Sequence, residues 1–110
     1  MDSEDARRVA GAWVDAWRSG DPERVLALLH ESAVLVDPAD EVHGGKVRPP
    51  DVAAHVRARM AAGAPPVHSW TALAGVDSIA VTCTRADGTR QSDTLVLTDD
   101  GRIVRAMRHS

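Results

Sequence analysis

The chain has 110 residues, 44% of them hydrophobic and 26% charged, which suits a single folded domain and is too apolar for a disordered segment. Its net charge of −3 argues against a nucleic-acid-binding surface, where a basic patch or stripe is the rule. The longest apolar runs, Val25–Leu29 and Ala33–Val36, fall far short of the roughly 20 residues of a membrane span, so no membrane partner is expected. The opening Met1-Asp2-Ser3-Glu4-Asp5 is acidic and has no apolar secretory core, and Cys83 is the single cysteine. Both features suit a reducing cytoplasm.

From the N-terminus, Ser3 reads as a helix cap, followed by Glu4 and Asp5 in the first turn. Ala6, Val9, Ala10, Trp13, Ala16 and Trp17 recur at three- and four-residue steps, one apolar face of a helix that Gly20 ends. Asp21-Pro22-Glu23 restarts a helix at once, so a helical hairpin is expected over Ser3–His30. Ala33–Asp37 is apolar and β-branched and stops at Pro38, a strand. A short second strand is expected around Val42, before a Gly44-Gly45 turn. Pro49-Pro50-Asp51 opens a third helix with a Val52, Val56, Met60 stripe, closed by Gly63 and Pro65-Pro66. Four strands follow, Val67–Ala74, Ser78–Arg85, Thr89–Thr98 and Arg102–His109, the last three joined by Asp-Gly turns at Ala86–Gly88 and Asp99–Gly101. The order α-α-β-β-α-β-β-β-β is an α+β pattern in one domain, residues 1–110.

Several segments together resemble the SnoaL-like branch of the nuclear-transport-factor-2-like superfamily. They are Ala12-Trp13-Val14-Asp15-Ala16-Trp17-Arg18-Ser19-Gly20-Asp21, Ala33-Val34-Leu35-Val36-Asp37-Pro38, the Gly44-Gly45 turn, Ser92-Asp93-Thr94-Leu95-Val96-Leu97 and Asp100-Gly101-Arg102-Ile103. The resemblance implies a cystatin-like cone, a curved, mixed but mostly antiparallel sheet wrapped around a long N-terminal helix, with an apolar pocket at its open end. That cone hosts many unrelated chemistries, so it predicts fold better than function. Within the superfamily the chain is most similar to the ketosteroid isomerases. Their general-base aspartate precedes a proline at the end of the first strand, matching Asp37-Pro38. Their second aspartate, held protonated to donate to an oxyanion, matches Asp93. Their catalytic tyrosine falls on Trp13, and an indole N–H donates a hydrogen bond without being a phenol-like acid.

The resemblance implies a cofactor-free isomerase or cyclase moving a proton next to the carbonyl of a hydrophobic ketone, with Asp37 as base and Asp93 as a neutral oxyanion donor. The alternative is a ligand-binding or dimerisation module that kept only the cone. The pocket is expected to be lined by Trp13, Trp17, Val36, Leu95 and Leu97, with His55 flanking its opening. Each residue also has a plainer role: Asp37 as a turn initiator, Asp93 as a strand-edge polar group, Trp13 as core, His55 as a half-exposed helix residue. No basic neighbour is evident for Asp37, whose carboxylate would then be desolvated without compensation. Strand parity does not settle whether Arg105, Arg108 and His109 face inward, where they would suit an anionic group. The five histidines are scattered (His30, His43, His55, His68, His109) without a zinc spacing, and no metal is expected. A homodimer through the outer sheet face, where Thr94, Val96 and Thr98 alternate outward, is the expected assembly.

Overall fold

Helix α1 (Ser3–Arg18) is capped one residue earlier than expected: the Asp2 carboxylate accepts from the Asp5 backbone N–H at 2.8 Å. These observations come from a computed structural model that describes residues 1–109; Ser110 of the expected domain lies outside them. The buried stripe of α1 is Ala6, Ala10, Trp13, Val14 and Ala16, and its small residues let the helix lie close against the sheet. Gly20, at φ +71°, supplies the left-handed turn that reverses the chain. Helix α2 (Pro22–Leu26) is a single short piece capped by Asp21, so the expected hairpin is cut short.

The strand that follows begins four residues before its apolar run. Strand β1 (Leu29–Val36) runs parallel to the last strand, with Leu29 opposite Ile103 and Val34 opposite Arg105, and the polar His30-Glu31-Ser32 falls in the register shift between those pairs. Strand β2 is Lys46–Val47, antiparallel to the end of β1. Val42, where it was expected, sits in a turn and is 86% exposed, because the loop needs Gly44 and Gly45 before it can return to β1. Helix α3 (Pro49–Ala62) ends at Gly63, and strands β3 (Val67–Ala74), β4 (Ser78–Arg85), β5 (Arg90–Leu97) and β6 (Ile103–His109) complete the chain within a residue of expectation.

The six strands lie in the order β2-β1-β6-β5-β4-β3, with the β1–β6 pair parallel and the others antiparallel. Register shifts in three of these pairs, at Leu29/Val34, Val67/Ser69 and Val96/Leu97, are the irregularities that bend strands and let a sheet curve. Helix α1 packs across β3 and β4, while α3 packs over β1 and β2. One face of the sheet buries Ala33, Leu35, Ile79, Val81, Leu95 and Ala106 against these helices. The resulting fold is the mixed α+β cone expected from the resemblance. No helix among the described residues is long and apolar enough to cross a membrane.

Candidate functional site

Three polar residues are buried with the core: Asp37 at 4% exposure, Asp93 at 5% and His55 at 9%. Buried ionisable groups are expensive unless paired, so their surroundings decide what they can do.

Asp37 ends β1 and serves the turn as well as the site. Its backbone N–H donates to Gly45 O at 2.8 Å, and its Oδ1 accepts from the Ala39 N–H at 3.0 Å. The second oxygen, Oδ2, lies 3.3 Å from Arg59 Nε and 3.6 Å from His55 Nε2. Both partners come from α3, four residues apart, so one helix face is laid over the strand end. The expectation that Asp37 lacks a basic neighbour is therefore overturned. The i, i+4 spacing was visible in sequence, but the register of α3 on β1 was not. Burial pushes the His55 imidazole below its ordinary 6.5; Asp37 and Asp40 act against the shift, Arg59 and His43 with it. His55 is thus a neutral imidazole at pH 7.

Asp93 faces inward from β5, as strand parity predicts, and is held by three donors. Its Oδ2 accepts from Trp13 Nε1 at 3.2 Å and Gln91 Nε2 at 3.3 Å, and its Oδ1 from Arg108 Nε at 3.3 Å. Indole and guanidinium nitrogens only donate, so Asp93 accepts at both oxygens. Trp13 is buried and lies in the cavity wall. Its indole N–H is spent on Asp93, whereas Trp17 Nε1 is the buried donor without a partner among the described residues. The two indoles meet edge to face, 5.8 Å between centroids, and the Arg108 guanidinium lies 5.7 Å from the Trp17 ring. Arg108 therefore turns inward, while Arg105 and His109 are exposed.

Two hollows adjoin this constellation. The larger, about 650 Å³, opens between α1, the end of α3 and strands β4 and β5, with Trp13, Trp17, Arg59, Cys83, Asp93 and Arg108 in its wall. A small one, about 20 Å³, joins Asp37, His55 and Val36 to Asp93, Arg59, Arg108 and both indoles. Leu95 and Leu97 line neither. Leu95 is fully buried in the core and Leu97 packs against it, because residues beyond Asp93 on that face run into the closed end of the cone. Trp13 at 3% exposure and Leu95 at 0% both lie inside, as the architecture requires. The wall is also less apolar than expected, since Arg18, Arg59, Arg85 and Arg108 all contribute to it. Burial pushes the Cys83 thiol up, Asp93 adding to the shift against Arg85, Arg18 and Arg108, so it stays a thiol. The fold also gathers Asp40, His43 and His55, whose candidate ligand atoms lie within 4.8 Å of one another, a grouping that sequence spacing hid. His43 Nδ1 is already engaged with Asp40 Oδ1 at 3.2 Å.

Comparisons with known proteins agree with this architecture. A SnoaL-like protein of unknown function from Burkholderia thailandensis is 27% identical over 99% of this chain and 97% of its own, with a TM-score of 0.83. A protein from Sinorhizobium meliloti, provisionally named a polyketide cyclase, is 16% identical over 99% of this chain and all of its own (100%), at a TM-score of 0.72. One from Kribbella flavida, provisionally named a ketosteroid isomerase, is 21% identical over 98% of this chain and 78% of its own, at 0.67. No curated protein matches the chain. The family model described as SnoaL-like domain matches residues 10–107, and the chain belongs to that family.

Proposed function

We propose that the protein moves a proton next to the carbonyl of a ketone held in this cavity, an isomerase- or cyclase-type reaction that uses no cofactor. The observation that carries the reading is a shared wall: two buried carboxylates, each tied to a guanidinium, meet the small hollow together with a neutral histidine. That hollow shares Trp13, Trp17, Arg59, Asp93 and Arg108 with the larger one, which has the room for a ketone. Asp37 is the base. The Ala39 N–H fixes Oδ1, so Oδ2 is the oxygen that takes the proton from carbon, and the C–H electron pair moves onto the carbonyl oxygen. Arg59 supplies the counter-charge to Asp37 before that transfer. His55, with Nε2 beside the same oxygen, takes that proton from Asp37 and, as imidazolium, releases it to another carbon, which leaves Asp37 ionised and His55 neutral as at the start.

The developing enolate falls to Arg108. Its Nε is held by Asp93, while its terminal nitrogens have no hydrogen-bond partner among the described residues. A guanidinium fixed before the reaction stabilises charge without reorganising, which is the usual source of such rate gains. Support in kind comes from the isomerase and cyclase names provisionally given to neighbours of this fold. The test is turnover of a β,γ-unsaturated ketone, followed by ultraviolet absorbance and by deuterium exchange next to the carbonyl. A protein that binds such a ketone and exchanges nothing is the binding module of the alternative reading. We also propose that two copies pair across the outer face of the sheet, where Thr94 and Val96 alternate with buried Asp93 and Leu95 and Thr98 lies just past the end of β5. A monomer in light scattering at micromolar concentration excludes that assembly.

A further inference from the structure

We propose that the substrate carries an anionic group, a carboxylate or phosphate ester, which seats on Arg85 and Arg18 at the rim of the larger hollow. The inference rests on the proton-transfer reading but concerns the opposite end of the ligand from Asp37. In a chain of net charge −3, four arginines and one carboxylate, Asp93, meet in this one wall. The inner two arginines are compensated, Arg59 by Asp37 and Arg108 by Asp93.

The outer two are held by neutral groups. Arg85 donates through Nη1 to Pro65 O at 2.8 Å and through Nη2 to Gln91 Oε1 at 2.6 Å, and it forms no ion pair among the described residues. The nearby Asp87 spends Oδ1 on the Thr89 backbone and hydroxyl. Arg18 donates through Nη2 to Val67 O at 2.9 Å, and its one acidic contact, Asp15 at 3.8 Å, is exposed and long. The segment entering β3 thus pins both guanidiniums through carbonyls two residues apart. That fixes their positions and leaves their charge uncancelled. Cys83, in the same wall, stays a thiol and adds no negative charge. Two guanidiniums already ordered at the edge of a cavity lose little freedom on meeting an anion, and their donors match its oxygens in pairs.

The experiment is isothermal titration calorimetry at low ionic strength with 2-naphthoate, 2-naphthyl phosphate and the neutral methyl 2-naphthoate. At least one anion is expected to bind about tenfold or more tightly than the ester, with a preference that shrinks as salt is added. Arg85→Gln and Arg18→Gln should each reduce that preference severalfold and leave ester affinity in place. Arg85→Lys, which keeps the charge, should retain part of it. Circular dichroism melts identify any variant that has lost its fold, and the inference is read from those that keep it. Equal affinity for the three probes, no binding of either anion, or a preference untouched by both Gln variants overturns the proposal. Exchange of a neutral ketone is measured separately. Its absence beside an intact anion preference removes the proton-transfer reading alone.

Discussion

The two buried carboxylates of this cavity are nearly alike in exposure and opposite in what surrounds them. Asp93 has an indole, an amide and a guanidinium as donors, from α1, β5 and β6, and both its oxygens are occupied. Asp37 has one backbone N–H on Oδ1, while Oδ2 lies 3.3 Å from a guanidinium and 3.6 Å from a neutral imidazole in ion-pair contact, with neither group aligned to donate a hydrogen bond to it. A carboxylate that is fully used by the fold holds other groups in place. One with an under-used oxygen can accept a proton. On the proposed reading the difference gives chemistry to Asp37 and positioning to Asp93, although the resemblance implies catalysis by both.

The sharpest way to break this comparison is to neutralise each in turn. Asp37→Asn should lower ketone turnover by about 10²–10⁴-fold, the range for loss of a general base, and shift thermal stability little. Asp93→Asn turns one oxygen into a donor facing donors, and leaves Arg108 without its counter-charge. Its cost should be about 2–4 kcal/mol in stability, with a smaller loss of turnover. Thermal melts and initial rates on the same two variants decide it. If Asp93→Asn is the stable, inactive protein and Asp37→Asn the unstable one, the assignment is reversed.

A smaller effect separates the two regions by pH. The His55 pKa in the folded protein lies below its ordinary 6.5, so the unfolded chain binds the proton more readily. Stability from burying neutral His55 is therefore fully present above pH 6.5 and is lost as pH falls through the lower folded value. Melting temperature should decline below pH 6.5 in the wild type and stay flatter in His55→Gln, and turnover should lose its acid limb in step. A His55→Gln profile that declines as the wild type does removes the imidazole from this account.

Much of this arrangement was legible in the chain, and the missing part has a single cause. Asp37 at a strand end and Asp93 in phase with Leu95 were readable because strand periodicity is local. The Trp13 and Trp17 helix face was readable for the same reason. Arg59 over Asp37, Arg108 on Asp93 and the gathering of Asp40, His43 and His55 depend on how α3 and β6 dock against β1 and β5, which no local pattern encodes. The early start of β1 is the same lesson, since it depends on Leu29 lying opposite Ile103 of β6 across a register shift. Leu95 and Leu97 were misplaced because parity gives the face and not the depth along the cone.

The two indoles offer the finest test of the comparison. Trp13 and Trp17 sit one turn apart on α1, touch each other, and both line the cavity. Trp13 donates to Asp93, while Trp17 Nε1 is buried without an acceptor among the described residues. Changing either to Phe removes the same atoms and a similar volume, so the loss of packing is largely common to both. What differs is the polar part. Trp13→Phe takes a donor from a buried carboxylate, which costs about 1–3 kcal/mol, whereas Trp17→Phe deletes a donor that already had no partner and relieves a penalty of the same order. Trp13→Phe should therefore melt below Trp17→Phe by about 10 °C or more, since the two effects add to a difference of about 2–6 kcal/mol in a domain of this size. Tyrosine at position 13 carries the argument further, since its hydroxyl can donate as the indole does. Trp13→Tyr should recover part of the loss seen with Phe if the bond to Asp93 is its cause. Equal melting of the two Phe variants would show that the Trp13–Asp93 bond contributes nothing net, and the satisfied character of the Asp93 end would have to rest on Arg108 and Gln91.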